Sequence, residues 1–198
     1  MLAYPLAPAA FADGRTGNAK LGDVASLGGG KFVVVEPGEG PDGKMFNWLM
    51  LADIADATDI GAAAFNPDTA DLELSSIDGE PVNGAQWAKV VAMKKTRLLD
   101  LNAIGWRVEK AEGLAVIDGH TLAITNDNDF GIKTRVYDSN GAEIDVDVTQ
   151  IEVDAAGSIL SGAPAGCTVR VARGDASEST LAIWVLRFDR ALTSYKVS

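Results

Sequence analysis

The stretch KAEGLAVIDGHTLAITNDNDFG, residues 110–131, decides the fold class of this chain. It sets two short apolar runs, 113–117 and 121–125, on either side of Asp118 and Gly119. Apolar runs separated by an Asp-Gly pair are typical of a β-hairpin, because these residues adopt the backbone conformations of tight turns. The pattern therefore predicts two adjacent antiparallel strands joined at Asp118 and Gly119.

Four hydrogen-bonding residues close the second run of this hairpin: Asn126, Asp127, Asn128 and Asp129. A strand that ends in this way places several oxygen ligands at one rim of a sheet. Proteins bind hard cations and phosphate-bearing substrates with such oxygens. Asn, Asp and Gly also form turns in any all-β protein, so a polar loop is the alternative interpretation.

Short apolar runs with a two-residue period recur along the chain, and turn-forming residues fill the gaps between them. Six further predicted strands cover residues 31–37, 46–54, 96–101, 134–138, 167–173 and 181–188. An Asp-Gly pair at 78–79 and an Asn-Gly pair at 140–141 are additional hairpin signals. Helix signals are weak, and residues 84–95 fit either a short helix or a strand. We therefore predict an all-β fold.

The chain also contains an internal repeat. Asp23 opens one predicted strand and Glu36 closes the next, and Glu112 and Asn126 take the same places in the hairpin of residues 110–131. The separation of about 90 residues equals two units of about 45, which is the length of a β-propeller blade. We therefore predict β-propeller-like antiparallel blades, in a ring that is either small or incomplete.

Composition bounds the domain organisation. A chain of 198 residues that is 47% hydrophobic has enough apolar material for a core, which excludes disorder of the whole chain. We predict one domain over residues 1–198, with an irregular N-terminal segment at 1–16 and an acidic, glycine-rich insertion at 138–166. Cys167 is the single cysteine, so the chain forms no internal disulfide.

Charge and hydropathy exclude two classes of partner. The formal net charge is −11, with only 17 basic residues, so nucleic acid and anionic membrane surfaces would repel the chain. No apolar run approaches the roughly 20 residues needed to span a bilayer. The N-terminus lacks a basic region and is interrupted by Pro5 and Pro8, so we expect no signal peptide in this chain.

The segment GEGPDG, residues 38–43, matches the glycine pattern of dinucleotide-binding loops. Glu39 and Asp42 would place negative charge beside a pyrophosphate, and Pro41 removes a backbone amide donor that the phosphates need. The sequence after this segment alternates and does not show a helical stripe. We therefore predict a loop between two strands here.

The carboxylates of the 110–131 stretch are the candidate metal ligands. The spacing Asp127-x-Asp129 lacks the third ligand, the glycine and the helix pair of an EF-hand, so that motif is excluded. Calcium takes six to eight oxygens from separated segments, so a cation held by Asp127 and Asp129 with Glu112 or Glu36 stays open. Turn and capping hydrogen bonds are the alternative role of these carboxylates.

Glu112 is also the candidate for acid–base chemistry, with Lys110 two residues before it to contact an anionic ester oxygen. An ion pair at the end of a strand is the alternative role for these two residues. The chain has no G-x-S-x-G motif, and His120 is its single histidine, which disfavours a serine triad. Ester hydrolysis by this chain would therefore be metal-assisted or driven by acid–base catalysis.

The pattern K-x-EGLA followed by TLAITNDNDFG, in residues 110–131, resembles the signature of the bacterial family called esterase-like activity of phytase. Other segments are similar to weaker parts of that family's pattern. They are GNAKLGDVASLGGGKFVVVEPG at 17–38, LADIADATDIG at 51–61, KKTRLLDLNAIGW at 94–106 and LAIWVLRFDRAL at 181–192. The resemblance extends over most of the chain.

This resemblance implies a phytase-like hydrolase that acts on small phosphate or carboxylic esters. It implies catalytic roles for Glu112, Asp127 and Lys110, and a calcium ion held by Glu112, Asp127, Asp129 and Glu36. The family is mostly exported, so we expect a periplasmic or extracellular protein of which this chain is a C-terminal, partial version. A non-catalytic binding or structural module is the alternative function.

Overall fold

The computed structural model of the chain describes residues 1–14, 16, 19–61, 76–77, 80–81, 89–108, 110–156 and 158–198. Antiparallel β-sheets make up its regular structure. The strands are β1 (Val24–Gly28), β2 (Lys31–Glu39), β3 (Met45–Asp53), β4 (Ser76–Ile77), β5 (Glu80–Pro81), β6 (Lys94–Asp100), β7 (Lys110–Asp118), β8 (Thr121–Asp127), β9 (Ile132–Tyr137), β10 (Glu143–Ile144), β11 (Glu152–Val153), β12 (Ile159–Ser161), β13 (Thr168–Arg173) and β14 (Ile183–Arg187). The predicted all-β fold is confirmed.

Helical structure is limited to single turns in the described residues. One short α-helix covers Ala176–Ser179. The 3-10 helices are Pro8–Ala10, Ala12–Gly14, Asn102–Ile104, Asp129–Gly131, Val148–Gln150 and Leu192–Ser194. No helix in the described ranges is long and apolar enough to cross a membrane.

The chain divides into two compact units. The first unit comprises Met1–Asn126 together with Ile183–Ser198, and the second comprises Asp127–Ala182. The second unit therefore enters the chain between β8 and β14, and it contains the whole of the predicted insertion at 138–166. The single domain over residues 1–198 stays a prediction.

The first unit contains two propeller-like sheets. Blade 1 is the four-stranded sheet in the order β1-β2-β3-β6, and blade 2 is the three-stranded sheet in the order β14-β8-β7. In each blade the first two strands form a hairpin, and the third strand pairs with the second. The predicted repeat is thus confirmed in its strand order. Neither sheet closes on itself.

The hairpin predicted from residues 110–131 is confirmed as β7 and β8, which are hydrogen-bonded neighbours. Its turn residues are Gly119 and His120, one position later than predicted. Asp118 ends β7, and its Oδ1 accepts a hydrogen bond from His120 N at 2.7 Å. Asp118 therefore caps the turn without forming part of it. The hydrogen bond from His120 N, followed by one from the Thr121 side chain, holds the pKa of Asp118 below its usual value.

The core of the first unit covers both faces of β2 and β3, because the consecutive residues 33–38 and 49–52 are all buried and side chains on a strand point to opposite faces in turn. On blade 1, the fully buried side chains include those of Val33, Leu49 and Leu51. On blade 2, Leu122 and Ile124 of β8 are buried. The loop segment GEGPDG, residues 38–43, ends β2 and turns into β3, as the sequence predicted.

The second unit has a three-stranded sheet in the order β10-β9-β13 and a separate hairpin of β11 and β12. The Asn-Gly pair at 140–141 joins β9 to β10, as predicted. Arg135 of β9 forms ion pairs with Glu143 and with Asp175, whose Oδ1 lies 2.9 Å from Arg135 Nη2. These pairs hold the pKa of Arg135 above its ordinary value.

Two predictions fall partly outside the described residues. The Asp-Gly pair at 78–79 lies outside them, although β4 and β5 on either side are paired antiparallel. The segment 84–95, for which helix and strand were both open, lies outside only at 84–88, and its residues 89–93 form neither helix nor strand. Its last two residues belong to β6.

Candidate functional site

Glu112 is the third residue of β7, and its neighbour Gly113 packs against β8. A Cβ atom at Gly113 would lie 2.3 Å from Thr125 Cγ2, so Gly113 and Thr125 share one face of the sheet. Asn126 is 6% exposed, whereas Glu112 is half-buried and reaches solvent. Glu112 is thus a partly exposed carboxylate near the start of β7.

Lys110 is the first residue of β7 and is half-buried. Lys110 and Glu112 are two residues apart on one strand, so their side chains leave the same face of the sheet. Both of these predicted catalytic residues thus belong to β7. A cation and a carboxylate side by side can bind an anionic ester and accept a proton.

Glu36 is buried in blade 1 and is 1% exposed. Its Oε2 accepts a hydrogen bond from Tyr4 Oη at 2.7 Å and another from Lys95 Nζ at 2.6 Å. Lys95 Nζ also lies 4.6 Å from the centre of the Tyr4 ring. Sequence reasoning missed both partners because they lie 32 and 59 residues from Glu36 along the chain.

The pKa of Tyr4 reflects the burial of this cluster and the negative charge of Glu36. Burial is the main cause that raises the pKa of the Tyr4 hydroxyl above its ordinary value of 10.0, and the hydrogen bond to Glu36 raises it further. A phenolate at this position would be both desolvated and repelled by a carboxylate. Tyr4 is therefore held as a neutral hydrogen-bond donor, and Lys95 supplies the positive charge opposite Glu36.

Asp127 and Asp129 form a tight turn after β8. Asp129 N donates a hydrogen bond to Asp127 Oδ1 at 2.9 Å, which is the turn role that the sequence left open. Both carboxylates are exposed. Asp129 and Phe130 have positive φ angles of 47° and 59°, and Phe130 is 96% exposed. A bulky residue with positive φ is an uncommon backbone state that needs support from the surrounding structure.

The four predicted metal ligands belong to different units. Glu36 and Glu112 are in the first unit, whereas Asp127 and Asp129 are in the second. In the part of the chain that the structure describes, no group of three or more His, Cys, Asp or Glu side chains is arranged to hold one metal ion. The calcium site therefore stays a prediction from the sequence.

The sequence analysis did not identify an open groove of about 950 Å³ within the second unit. Its lining combines the exposed apolar residues Phe130 and Val171 with carboxylates that include Asp145 and Asp147. The signal for it is the alternation of apolar and acidic residues in EIDVDV, residues 143–148. Residues that are distant in sequence complete the lining of the groove. The alternation by itself predicts only a strand with one apolar face and one acidic face, and it does not predict a groove.

Two propeller-like blades that carry carboxylates near the ends of their strands define the class as a β-propeller-like protein. A family model named Phytase-like, described as esterase-like activity of phytase, matches residues 1–130. This match covers more than half of the chain, and the chain belongs to that family. No curated protein and no solved structure shows a significant match to the chain.

Proposed function

We propose that this chain is a hydrolase of phosphate or carboxylic esters. The observation that carries the proposal is the family match, because residues 1–130 include every carboxylate and lysine selected from the sequence. The family's printed description names an esterase-like activity, which supports this reaction class. A lysine and a glutamate two residues apart on β7, Lys110 and Glu112, support an anionic substrate.

In the proposed mechanism, Lys110 binds the anionic oxygen of the ester and offsets its charge. Glu112 accepts a proton from the water that attacks the ester, the bond to the leaving alkoxide breaks, and Glu112 returns the proton to that alkoxide. Both residues lie on a strand of a sheet, and a strand holds catalytic groups more rigidly than a loop does.

Asp127 and Asp129 are the proposed ligands of a calcium ion. Exposed carboxylate oxygens are the donors that calcium prefers, so the residue chemistry fits this ion. A bound calcium ion would supply Lewis-acid activation of water and stabilisation of negative charge. Asp127 and Asp129 lie within one stretch of the family signature in the sequence.

Glu36 is not needed in the proposed ligand set. Its carboxylate is 1% exposed and already faces the ammonium group of Lys95. A cation at Glu36 would have to displace that ammonium group from a buried position, which costs free energy on both sides. We assign Glu36 a structural role in blade 1.

The proposal is tested by a hydrolysis screen with p-nitrophenyl phosphate, p-nitrophenyl butyrate and phytate, with calcium or with a chelator. The informative variant is Asp127→Asn with Asp129→Asn, because amide oxygens keep the turn hydrogen bond but lose the charge. We expect the wild type to require calcium, and we expect the double variant to lose both turnover and stabilisation by calcium.

A matched control is Asp138→Asn with Asp154→Asn. Both of these carboxylates also lie in the second unit and accept backbone amides in turns, from Ala142 N at 2.9 Å and from Ser158 N at 2.8 Å. This control removes the same charge and should keep full, calcium-dependent turnover. Absence of turnover in the wild type on all three substrates would contradict the proposal and favour a non-catalytic binding module.

A further inference from the structure

Asp23 joins the first strands of the two blades through one carboxylate. Its Oδ1 accepts a hydrogen bond from Val24 N at 2.8 Å, and its Oδ2 accepts one from Leu114 N at 3.0 Å. Asp23 and Leu114 are 91 residues apart in the chain. The second bond fixes β7 two residues beyond Glu112.

The two hydrogen bonds explain why this residue is an aspartate. Both donors are backbone amides, and each reaches a different oxygen. A carboxylate presents two acceptor oxygens, whereas an asparagine presents one oxygen and one NH₂ group. In Asp23→Asn, the NH₂ group of the asparagine would therefore face one of the two backbone N–H groups. Both groups are donors, so that hydrogen bond would be lost.

Gly22 brings the backbone before β1 against the same part of β7. A Cβ atom at Gly22 would lie 2.7 Å from Ala111 O and 2.8 Å from Glu112 Cα. Real Cβ atoms do not approach backbone atoms this closely, so only glycine fits without a shift of β7. Gly22 N is itself held by Val35 O at 3.0 Å.

Asn47 fixes β7 on the other side of Glu112. This fully buried residue accepts a hydrogen bond from Ala111 N on its Oδ1 at 2.9 Å. Its own orientation is fixed by Asn102 Oδ1, which accepts from Asn47 N at 2.7 Å and from Asn47 Nδ2 at 3.3 Å. The backbone of Glu112 thus lies between two amides, of Ala111 and Leu114, which donate hydrogen bonds to the side chains of Asn47 and Asp23.

We propose that Asp23 is a positioning residue for Glu112, which it holds at the start of β7 through the amide of Leu114. This inference rests on the proposed function of Glu112. Asp23 has no contact with the substrate in this role. It sets the position of the strand from which the Glu112 carboxylate reaches solvent.

The test is Asp23→Asn in the full chain, combined with Glu112→Gln in a double-mutant cycle. We expect the Leu114 amide to exchange its hydrogen faster, by about tenfold or more, because it loses a bond to a charged acceptor. We expect kcat for ester hydrolysis to fall while KM stays near the wild-type value. In the Glu112→Gln background, Asp23→Asn should cause no further loss.

Asp118→Asn is the matched control, because Asp118 accepts a backbone amide at the opposite end of β7. It should leave kcat unchanged. If Asp23→Asn fails to fold, Gly22→Ala is the second variant, since it displaces the backbone at Glu112 and leaves Asp23 in place. The same loss of kcat, absent in the Glu112→Gln background, is then expected.

Unchanged exchange at Leu114, or additive losses in the cycle, would overturn the positioning role. If the wild type hydrolyses none of the esters, the proposed function has failed. The positioning role of Asp23 is then tested separately, by the carboxyl carbon-13 resonance of Glu112. A shift of that resonance in Asp23→Asn would support the positioning role, and an unchanged resonance would overturn it.

Discussion

Lys95 Nζ lies 2.6 Å from Glu36 Oε2 inside blade 1, with the two side chains 10% and 1% exposed. Tyr4 donates a hydrogen bond to the same oxygen, so residues from the N-terminal segment, β2 and β6 meet at one carboxylate. A buried ion pair adds little net stability because both ions lose their water. Removing one partner is costly, since the other charge is then buried without compensation.

We predict that Lys95→Met lowers the free energy of unfolding by about 3–5 kcal/mol, the usual cost of leaving a buried charge unpaired. The change keeps an apolar stem of similar length but removes the ammonium group. Urea denaturation measures the effect. Adding Glu36→Gln to this variant should restore part of the loss, because the uncompensated charge is gone.

Lys94→Met is the matched control. Lys94 is the neighbouring residue on β6, and its ion pair with Asp56 is exposed on both sides. Exposed pairs contribute little, so this variant should stay within about 0.5 kcal/mol of the wild type. Equal losses of unfolding free energy in Lys94→Met and Lys95→Met would show that burial does not determine the contribution of the Lys95 ion pair to stability.

Alkaline pH should weaken the N-terminal contact of blade 1. Burial raises the pKa of Tyr4 in the folded chain above its unfolded value of 10.0. A raised folded-state pKa gives stability that is fully present below the unfolded value and is lost as pH rises beyond it. We predict that the stability difference between the wild type and Tyr4→Phe shrinks above pH 10. A constant difference from pH 7 to pH 11 would contradict this prediction.

Truncation to alanine at equivalent positions of the two blades should lower the free energy of unfolding by different amounts. Leu51 pairs with Val33 in blade 1, and Val185 pairs with Ala123 in blade 2, where Ala123 is the repeat equivalent of Val33. Leu51 is 1% exposed and Val185 is 63% exposed. We predict that Leu51→Ala costs about 2–5 kcal/mol, whereas Val185→Ala stays within about 0.5 kcal/mol.

Thermal and urea unfolding of the two variants measure this contrast. A large loss in Val185→Ala would mean that its side chain is covered in solution. A small loss in Leu51→Ala would mean that the buried face of blade 1 is wrongly assigned.

Gly113→Ala should destabilise the hairpin of β7 and β8. The added Cβ would lie 2.3 Å from Thr125 Cγ2, so one of the two strands has to shift. Overpacking of this kind costs about 1–3 kcal/mol. Because the clash is with a methyl group, Thr125→Ser in the same chain should recover most of the loss. No recovery in the double variant would place the clash elsewhere.

Alternation of apolar residues was sufficient to predict all eight strands proposed from the sequence, because each needs only local information. The same holds for the loop at 38–43, where the charges and Pro41 already argue against a phosphate site. The repeat of Asp23 and Glu112 also followed from the sequence alone.

The contacts that organise the candidate site could not be predicted in this way. The bonds of Asp23 to Leu114 and of Asn47 to Ala111 join residues 91 and 64 positions apart, and neither polar residue is distinctive in sequence. Glu36 has the same sequence pattern as a metal ligand, but Lys95 determines its role. The extra strands between β8 and β14 likewise form a unit larger than the acidic insertion at 138–166 that composition indicated.

The most direct test of the central claim is the turnover number of Glu112→Gln on p-nitrophenyl phosphate and p-nitrophenyl butyrate with calcium present. Glutamine keeps the size of the side chain but cannot accept a proton or carry charge. We predict that the wild type turns over at least one ester. We also predict that Glu112→Gln lowers kcat by a factor of about 100 or more, the contribution of one general base, and that Glu39→Gln at the end of β2 does not lower it. Equal turnover by Glu112→Gln and the wild type would contradict this prediction.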